Sequence, residues 1–241
     1  MLEKMPEYLI NEEGAVKEWL TPLLKDQYNH RHSSHLYALF DGIPAEIDQN
    51  PVLREAFKRT IEIKLDNHWK NSRSGYMSFG VVQLGLAATS LGESELAYQC
   101  IIPLVNRYWL NNLASMHNHK SLFNMDVSGG MPAVNIKTMV ESYPGKIKLL
   151  PALPKEWSSG TIEGVLCRGQ VEVKRLQWER DRINVCLVSQ CDQTVSVEVP
   201  FAMTNFRLKK GNVNLKQTDQ KNIWDVTLPA NQEIILEIKV K

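Results

Sequence analysis

The 241-residue sequence has no apolar run approaching the ~18–20 residues a membrane-spanning helix needs, so a membrane is not an expected partner. It also has almost no net charge. Its 28 Lys and Arg stand against 27 Asp and Glu, leaving +1 and no basic face for nucleic acid. Met1-Leu2-Glu3-Lys4-Met5-Pro6 lacks the apolar core of a signal peptide, which bears on the compartment only if Met1 is the natural start. Cysteine is scarce: Cys100, Cys167, Cys186 and Cys191, none at zinc-site spacing. Cys186 and Cys191 lie in a strand-like region and would point to opposite faces of one continuous strand, which disfavours a disulfide between them. The four read as small buried apolar side chains.

What remains is ordinary globular composition, 43% hydrophobic and 23% charged, enough for one large domain or two small ones. The hydrophobic period changes near residue 145. Before it the pattern is helical. Asn50-Pro51 supplies an N-cap and a proline at the first helical position. Val52, Leu53, Ala56, Phe57, Thr60, Ile61 and Lys64 then form a stripe with a polar back. Tyr76 to Leu91 is apolar nearly all round, the pattern of a helix buried on most sides, and Gly92 caps it. Glu93 to Trp109 is the next helix, kinked at Pro103. Met131 to Ser142 is another, stopped by Pro144-Gly145. After Gly145 the period is two. Val171, Val173 and Leu176 begin one strand. Ile183, Val185 and Leu187 form a second, Val195, Val197 and Val199 a third, and Ile234, Leu236, Ile238 and Val240 close the chain. Turn residues fall at Asp181, Cys191-Asp192-Gln193, Lys210-Gly211-Asn212 and Pro229-Ala230-Asn231. Short strands at such spacing predict an antiparallel sandwich. Leu149-Leu150-Pro151-Ala152-Leu153-Pro154-Lys155-Glu156-Trp157 is read as a stiff, apolar link that joins the two halves and docks one on the other. The helical half has few helices for so apolar a member, so further helices are expected from a longer parent chain or a partner.

Chemistry concentrates in two polar clusters. His30-Arg31-His32-Ser33-Ser34-His35-Leu36-Tyr37 packs three histidines and an arginine into six residues. His117-Asn118-His119 and Phe123-Asn124-Met125-Asp126 lie far downstream, so only tertiary folding can unite the two. Arginine offers a planar fork of donors suited to adjacent sugar hydroxyls. A neutral histidine offers one donor and one acceptor. A cleft lined by both clusters suits a polyhydroxylated ligand such as a sugar. Each residue also has a plainer reading. Asp126 alone could be a helix N-cap or a turn carboxylate. Arg31 and His32 could be hydrogen-bonded loop residues. His30 and His35 read as supporting or structural, His68 as a helix-end residue, and His117 and His119 as either pocket lining or structure. A hydrolase metal site built from His30-x-His32, His117-x-His119 and Asp126 is conceivable but disfavoured, because the pairs do not sit in clear strands. No metal or other cofactor is expected. Trp19, Trp69 and Trp109 could stack on sugar faces, whereas Trp157, Trp178 and Trp224 belong with sandwich packing.

Several of these strings together resemble a known family. They are Glu18-Trp19, the His30–Tyr37 string, Leu91-Gly92-Glu93 with Ala97-Tyr98, Asp126, Leu149-Leu150-Pro151-Ala152-Leu153-Pro154 with Trp157, and Gly164 with Arg168-Gly169. In that order they resemble the C-terminal part of glycoside hydrolase family 95, the α-L-fucosidases and some α-L-galactosidases, from about residue 8 to about residue 180. The resemblance implies an α+β multidomain chain: residues 1–147 as the C-terminal portion of an (α/α)6 barrel, and residues 148–241 as a β-sandwich. It implies inverting hydrolysis, in which a glutamic acid protonates the leaving oxygen and an asparagine, polarised by an aspartate, holds the attacking water. Asp126 resembles that aspartate; Arg31 and His32 resemble residues that bind the fucose hydroxyls. The glutamate and the asparagine are expected upstream of Met1. On that basis this chain alone is expected to be inactive, with a glycan as its ligand and the upstream barrel segment or a second copy as its protein partner. A periplasmic or secreted setting is implied by the resemblance only. The family string Asp-Gly-Asn-Phe-Gly reads Asp126-Val127-Ser128-Gly129-Gly130 here, so the aspartate is kept and the loop after it is rebuilt. A non-catalytic carbohydrate-binding piece, or a structural remnant of such an enzyme, is the alternative.

Overall fold

A computed structural model describes residues 6–70, 77–118 and 121–241. The chain divides into two compact units, Met1–Asn135 and Ile136–Lys241. The first unit opens with a long irregular segment, which Asn11 organises. Its side-chain amide donates to Asp26 Oδ2 and to the Tyr28 hydroxyl, both at 2.7 Å, while its Oδ1 accepts from the Ala15 amide. A 3-10 turn at Ser34–Leu39 follows, anchored by buried Leu36 and Leu39. Then come α1 (Ala45–Asp48), α2 (Pro51–Lys70), α3 (Ser78–Leu91) and α4 (Ser94–Asn106). A small hairpin, β1 (Met116–Asn118) with β2 (Leu122–Phe123), precedes α5 (Asp126–Met139).

The helix signals act as expected at most ends. Asn50 Oδ1 accepts from the Val52 and Leu53 amides at 3.1 and 3.2 Å, satisfying two donors that the first turn of α2 leaves open. Gly92 closes α3 in the left-handed region, at φ 76°. The Tyr76 end of the predicted helix lies outside the described residues. Helix α3 is buried along most of its length and packs against α2, α4, the 3-10 turn and β1. Val52 departs from the predicted stripe: it stands 65% exposed in the first turn of α2, while Ile63 and Leu65 are buried instead. Helix α4 carries Pro103 and ends at Asn106, short of Trp109, which pairs with Ser115 in an isolated antiparallel bridge.

The predicted helix over 131–142 is displaced. Helix α5 starts at Asp126, and Val140–Tyr143 is a strand, β3, paired antiparallel with β4 (Lys146–Leu149). Pro144-Gly145 is therefore a hairpin turn, with Gly145 at φ +76°. A proline-glycine pair stops a helix or turns a hairpin equally well; pairing across the turn decides between them. The remaining strands are β5 (Gly160–Cys167), β6 (Val171–Glu179), β7 (Arg182–Ser189), β8 (Gln193–Glu198), β9 (Met203–Lys210), β10 (Leu215–Gln217), β11 (Ile223–Leu228) and β12 (Glu233–Val240). They form two five-stranded sheets, ordered β10-β11-β8-β4-β3 and β5-β6-β7-β12-β9. One shared core holds them together: Val173, Leu176, Val185, Leu187, Val195, Val197, Leu236 and Ile238 come from both sheets and are all buried. Alternation puts every second side chain on that inner face. The sandwich is antiparallel except where β4 runs parallel to β8.

Residues 149–157 do not join the units. They connect β4 to β5 inside the second one, because β3 and β4 belong to its sheet. Leu150 sits at φ 55°, its amide donating to Met139 O at 2.6 Å, and Trp157 O accepts the Trp178 indole N–H at 2.8 Å. All four cysteines are free thiols. Cys100 is buried as expected; Cys191 is exposed, lying in the turn beyond β7 rather than in a strand.

Candidate functional site

The string His30-Arg31-His32-Ser33 is held by its backbone. Helix α3 presents Gly80 beneath it, where a Cβ would come within 2.3 Å of Arg31 O, so only glycine allows this approach. One turn on, Gln83 Oε1 accepts the Ser33 amide at 2.8 Å. From α2, Lys64 Nζ donates to His30 O and His32 O, both at 3.1 Å. With the backbone occupied inward, Arg31 is exposed and His32 half-buried. The His32 ring meets Phe79 of α3 edge-on at 5.4 Å, and the His30 ring lies 5.1 Å away. His30 Nδ1 is 3.6 Å from Glu18 Oε1.

The second cluster is built around Asn124. Its Nδ2 lies 3.2 Å from His117 Nδ1, and its Oδ1 accepts the Asp126 amide at 2.5 Å. Its backbone carbonyl accepts the Ser115 hydroxyl, which also lies 2.9 Å from Ser128 Oγ. Asn124 thus links β1 to the first turn of α5. Asp126 is the first residue of that helix and exposed, where the helix dipole favours a carboxylate. Gly130 lets α5 approach α3, since a Cβ there would fall 2.5 Å from Val82. Gly130 is used in helix packing; Gly129 faces open space.

Tertiary folding brings parts of the two clusters onto α3. The His32 pKa lies below its ordinary value, first through burial and then through the positive charges of Arg31, His30, His117 and Lys64. His117 therefore acts on His32 across a long sequence separation. Asp126 and Arg31 make no hydrogen bond or ion pair with each other. His119 lies outside the described residues. His35 is half-buried and its pKa falls to about 4, mainly by burial. His68 lies in the last turn of α2, as expected of a helix-end residue, but is only 2% exposed, and burial followed by Arg107 lowers its pKa to about 4. Of the tryptophans, Trp19 and Trp69 are exposed, and the Arg107 guanidinium lies over Trp69 at 5.9 Å.

Three contributors were not among the site residues expected from sequence. Lys64 was visible only as a charge on an apolar stripe. Gly80 was visible as a glycine inside a helix, and Asn124 as a short polar side chain two before Asp126. A further cleft of about 650 Å³ is lined by Asn11, Lys17, Asp26 and Tyr28 among others, and by none of the predicted site residues. Among the described residues no group of three or more His, Cys, Asp or Glu is placed to hold a metal ion, and no helix is long and apolar enough to cross a membrane.

An exposed arginine, histidines and a carboxylate around one buried helix make a donor and acceptor set suited to a polyhydroxylated ligand. Residues 1–139 match the glycosyl hydrolase family 95 catalytic domain, and residues 141–235 match the glycoside hydrolase family 95 C-terminal domain. The chain belongs to glycoside hydrolase family 95. It is 28% identical over 207 residues to alpha-L-fucosidase 2 of Arabidopsis thaliana, covering 82% of this chain and 23% of that protein. The chain thus spans about a quarter of the length of the curated relative it matches. Among solved structures, a GH127 beta-L-arabinofuranosidase from Geobacillus stearothermophilus T6 superposes with a TM-score of 0.34 at 7% identity, over 76% of this chain and 39% of that one. A chain described as a glycoside hydrolase gives 0.34 at 9% identity, over 71% and 34%. Superpositions that loose carry nothing over to this chain.

Proposed function

We propose that this chain is the sugar-binding end of an inverting glycosidase that removes terminal α-L-fucosyl, or α-L-galactosyl, groups from glycans. In this reading the helical unit closes an (α/α)6 barrel. Arg31 and His32 bind ring hydroxyls, with His117 and His119 lining the same pocket. Asp126 polarises the asparagine that holds the attacking water. The reading is carried by one observation: α3 seats the Arg31-His32 string at Gly80 and the Asp126 helix at Val82, within one turn of each other. An ordinary inverting site places two carboxyl groups far enough apart to admit water. An amide in the base position makes the supporting carboxylate necessary.

No carboxylic acid of this chain is assigned to leaving-group protonation. A missing general acid typically costs 10²–10⁴-fold in rate. The 241-residue chain is therefore expected to bind sugar without turning it over, the rest of the barrel being its partner. Saturation-transfer NMR with L-fucose and L-galactose, run beside an α-L-fucoside assay, tests both halves. Binding without turnover is expected, and Arg31→Ala should abolish it. Clear turnover by the pure chain overturns the inactivity; unchanged affinity in Arg31→Ala removes that residue from the site. The rebuilt string after Asp126, folded here into helix with Val127 fully buried, favours a second reading as a non-catalytic remnant. Failure to bind either sugar would select it.

A further inference from the structure

An ammonium group is costly to bury unless its donors are met, so a buried lysine usually has a task. Lys64 is 1% exposed, on the inner face of α2 beside Thr60, Ile61 and His68. Its Nζ bonds the carbonyls of His30 and His32, the two residues that flank Arg31. The same four-residue stretch is braced twice more, by Gly80 against Arg31 O and by Gln83 against the Ser33 amide. Two helices therefore fix the backbone on one side, which leaves the Arg31 side chain on the other.

We infer that Lys64 is the positioning residue for the sugar-binding pair Arg31 and His32, acting through their backbone and not by touching the ligand. The inference rests on the assignment of Arg31 and His32 proposed above. A charged donor shared by two carbonyls is among the stronger hydrogen-bonding arrangements available, and it fixes spacing as well as direction. Its charge has a second effect. Lys64 joins burial, Arg31, His30 and His117 in disfavouring the protonated His32 ring. A neutral ring keeps one donor and one acceptor for hydroxyls; an imidazolium has donors only.

Lys64→Met keeps an unbranched side chain of nearly the same length and removes the donors. Three readouts are expected to move together. The His32 ring titration, followed by ¹H–¹³C NMR, shifts to higher pH. Amide exchange at residues 31–33 speeds up roughly tenfold or more. L-fucose affinity falls roughly tenfold. A folded Lys64→Met chain with His32 titration and amide exchange both unchanged overturns the inference. Those two readouts need no ligand. If wild-type chain binds no sugar, the sugar assignment fails while the positioning role is still decided. Should Lys64→Met not fold, the wild-type ¹⁵N-lysine spectrum decides: slowly exchanging Lys64 ammonium protons support the role, and exchange at the free-lysine rate overturns it.

Discussion

On β7 of the second unit, Ile183, Val185 and Leu187 turn inward and meet Ile238, Leu236 and Ile234 across the ladder to β12. On α2 of the first unit, the inward face mixes Leu53, Phe57 and Ile61 with Thr60, Lys64 and His68. The sandwich buries what an alternating pattern says it should. The helical unit buries polar groups whose partners lie on loops far away in sequence. Thr60 Oγ1 accepts the Val16 amide, and Lys64 holds the carbonyls around Arg31. The sandwich also buries Glu141 and Glu237, but these pair with Lys148 and Arg207 on neighbouring strands, whereas the buried polar groups of α2 hold irregular backbone. The candidate site residues Arg31, His32 and Asp126 sit on the unit that uses polar groups in this way.

Acid should separate the units most sharply. All six histidines lie in the first unit. Burial holds the pKa of His35 and of His68 down to about 4 in the folded chain, against an ordinary value of 6.5. A base whose pKa is depressed by folding favours the folded state fully above 6.5, and that advantage is lost as pH falls from 6.5 to 4. The loss is about 3 kcal/mol for each group, about 6 kcal/mol together. The second unit holds no histidine. Its Glu233, held down to about 2 by hydrogen bonds from Lys174 and Lys210, loses its contribution only between 4.5 and 2. Hydrogen exchange read by mass spectrometry from pH 7.5 to 4.5 should show the first unit opening while the sandwich stays closed. Simultaneous opening would break the contrast.

Leu236→Ala should destabilise the sandwich by about 2–5 kcal/mol, since a fully buried leucine leaves a cavity its neighbours only partly fill. The check is a urea transition followed by exchange of sandwich amides, with residues 31–33 unaffected. Protection lost equally at the His30–Ser33 string would mean that the units do not open independently. The smallest expected effect is Asn50→Ala, about 1 kcal/mol, from losing the cap at the start of α2. It should register as faster exchange at Val52 and Leu53 and leave the far end of α2 protected.

Legibility followed the same division. Strands β6, β7, β8 and β12 were visible from their alternating inward residues, because a one-residue register error would expose the whole set, whereas β5, β9, β10 and β11 were not picked out. The helix caps at Asn50 and Gly92 were visible because their chemistry is local. The hairpin at Pro144-Gly145 was misread as a helix stop, and the 149–157 segment as a link between units. The hairpin rests on local pairing of β3 with β4, which competes with continued helix in a segment of either propensity, whereas the place of 149–157 depends on β4 pairing with β8, far along the chain. The polar clusters could be named from composition, but their supports could not. Lys64 on an apolar stripe gives no hint that its partners are two carbonyls some thirty residues earlier.

The sequence by itself determined the change from helical to alternating period, the caps, the inward faces of the sandwich and the family. These follow from neighbouring residues or from ordered strings. Tertiary structure alone decided that β4 runs parallel to β8, that Asn124 joins His117 to Asp126, and that Lys64 and Gly80 shape the Arg31 string. Each of those depends on groups brought within a few ångströms by packing, a relation that no local period encodes.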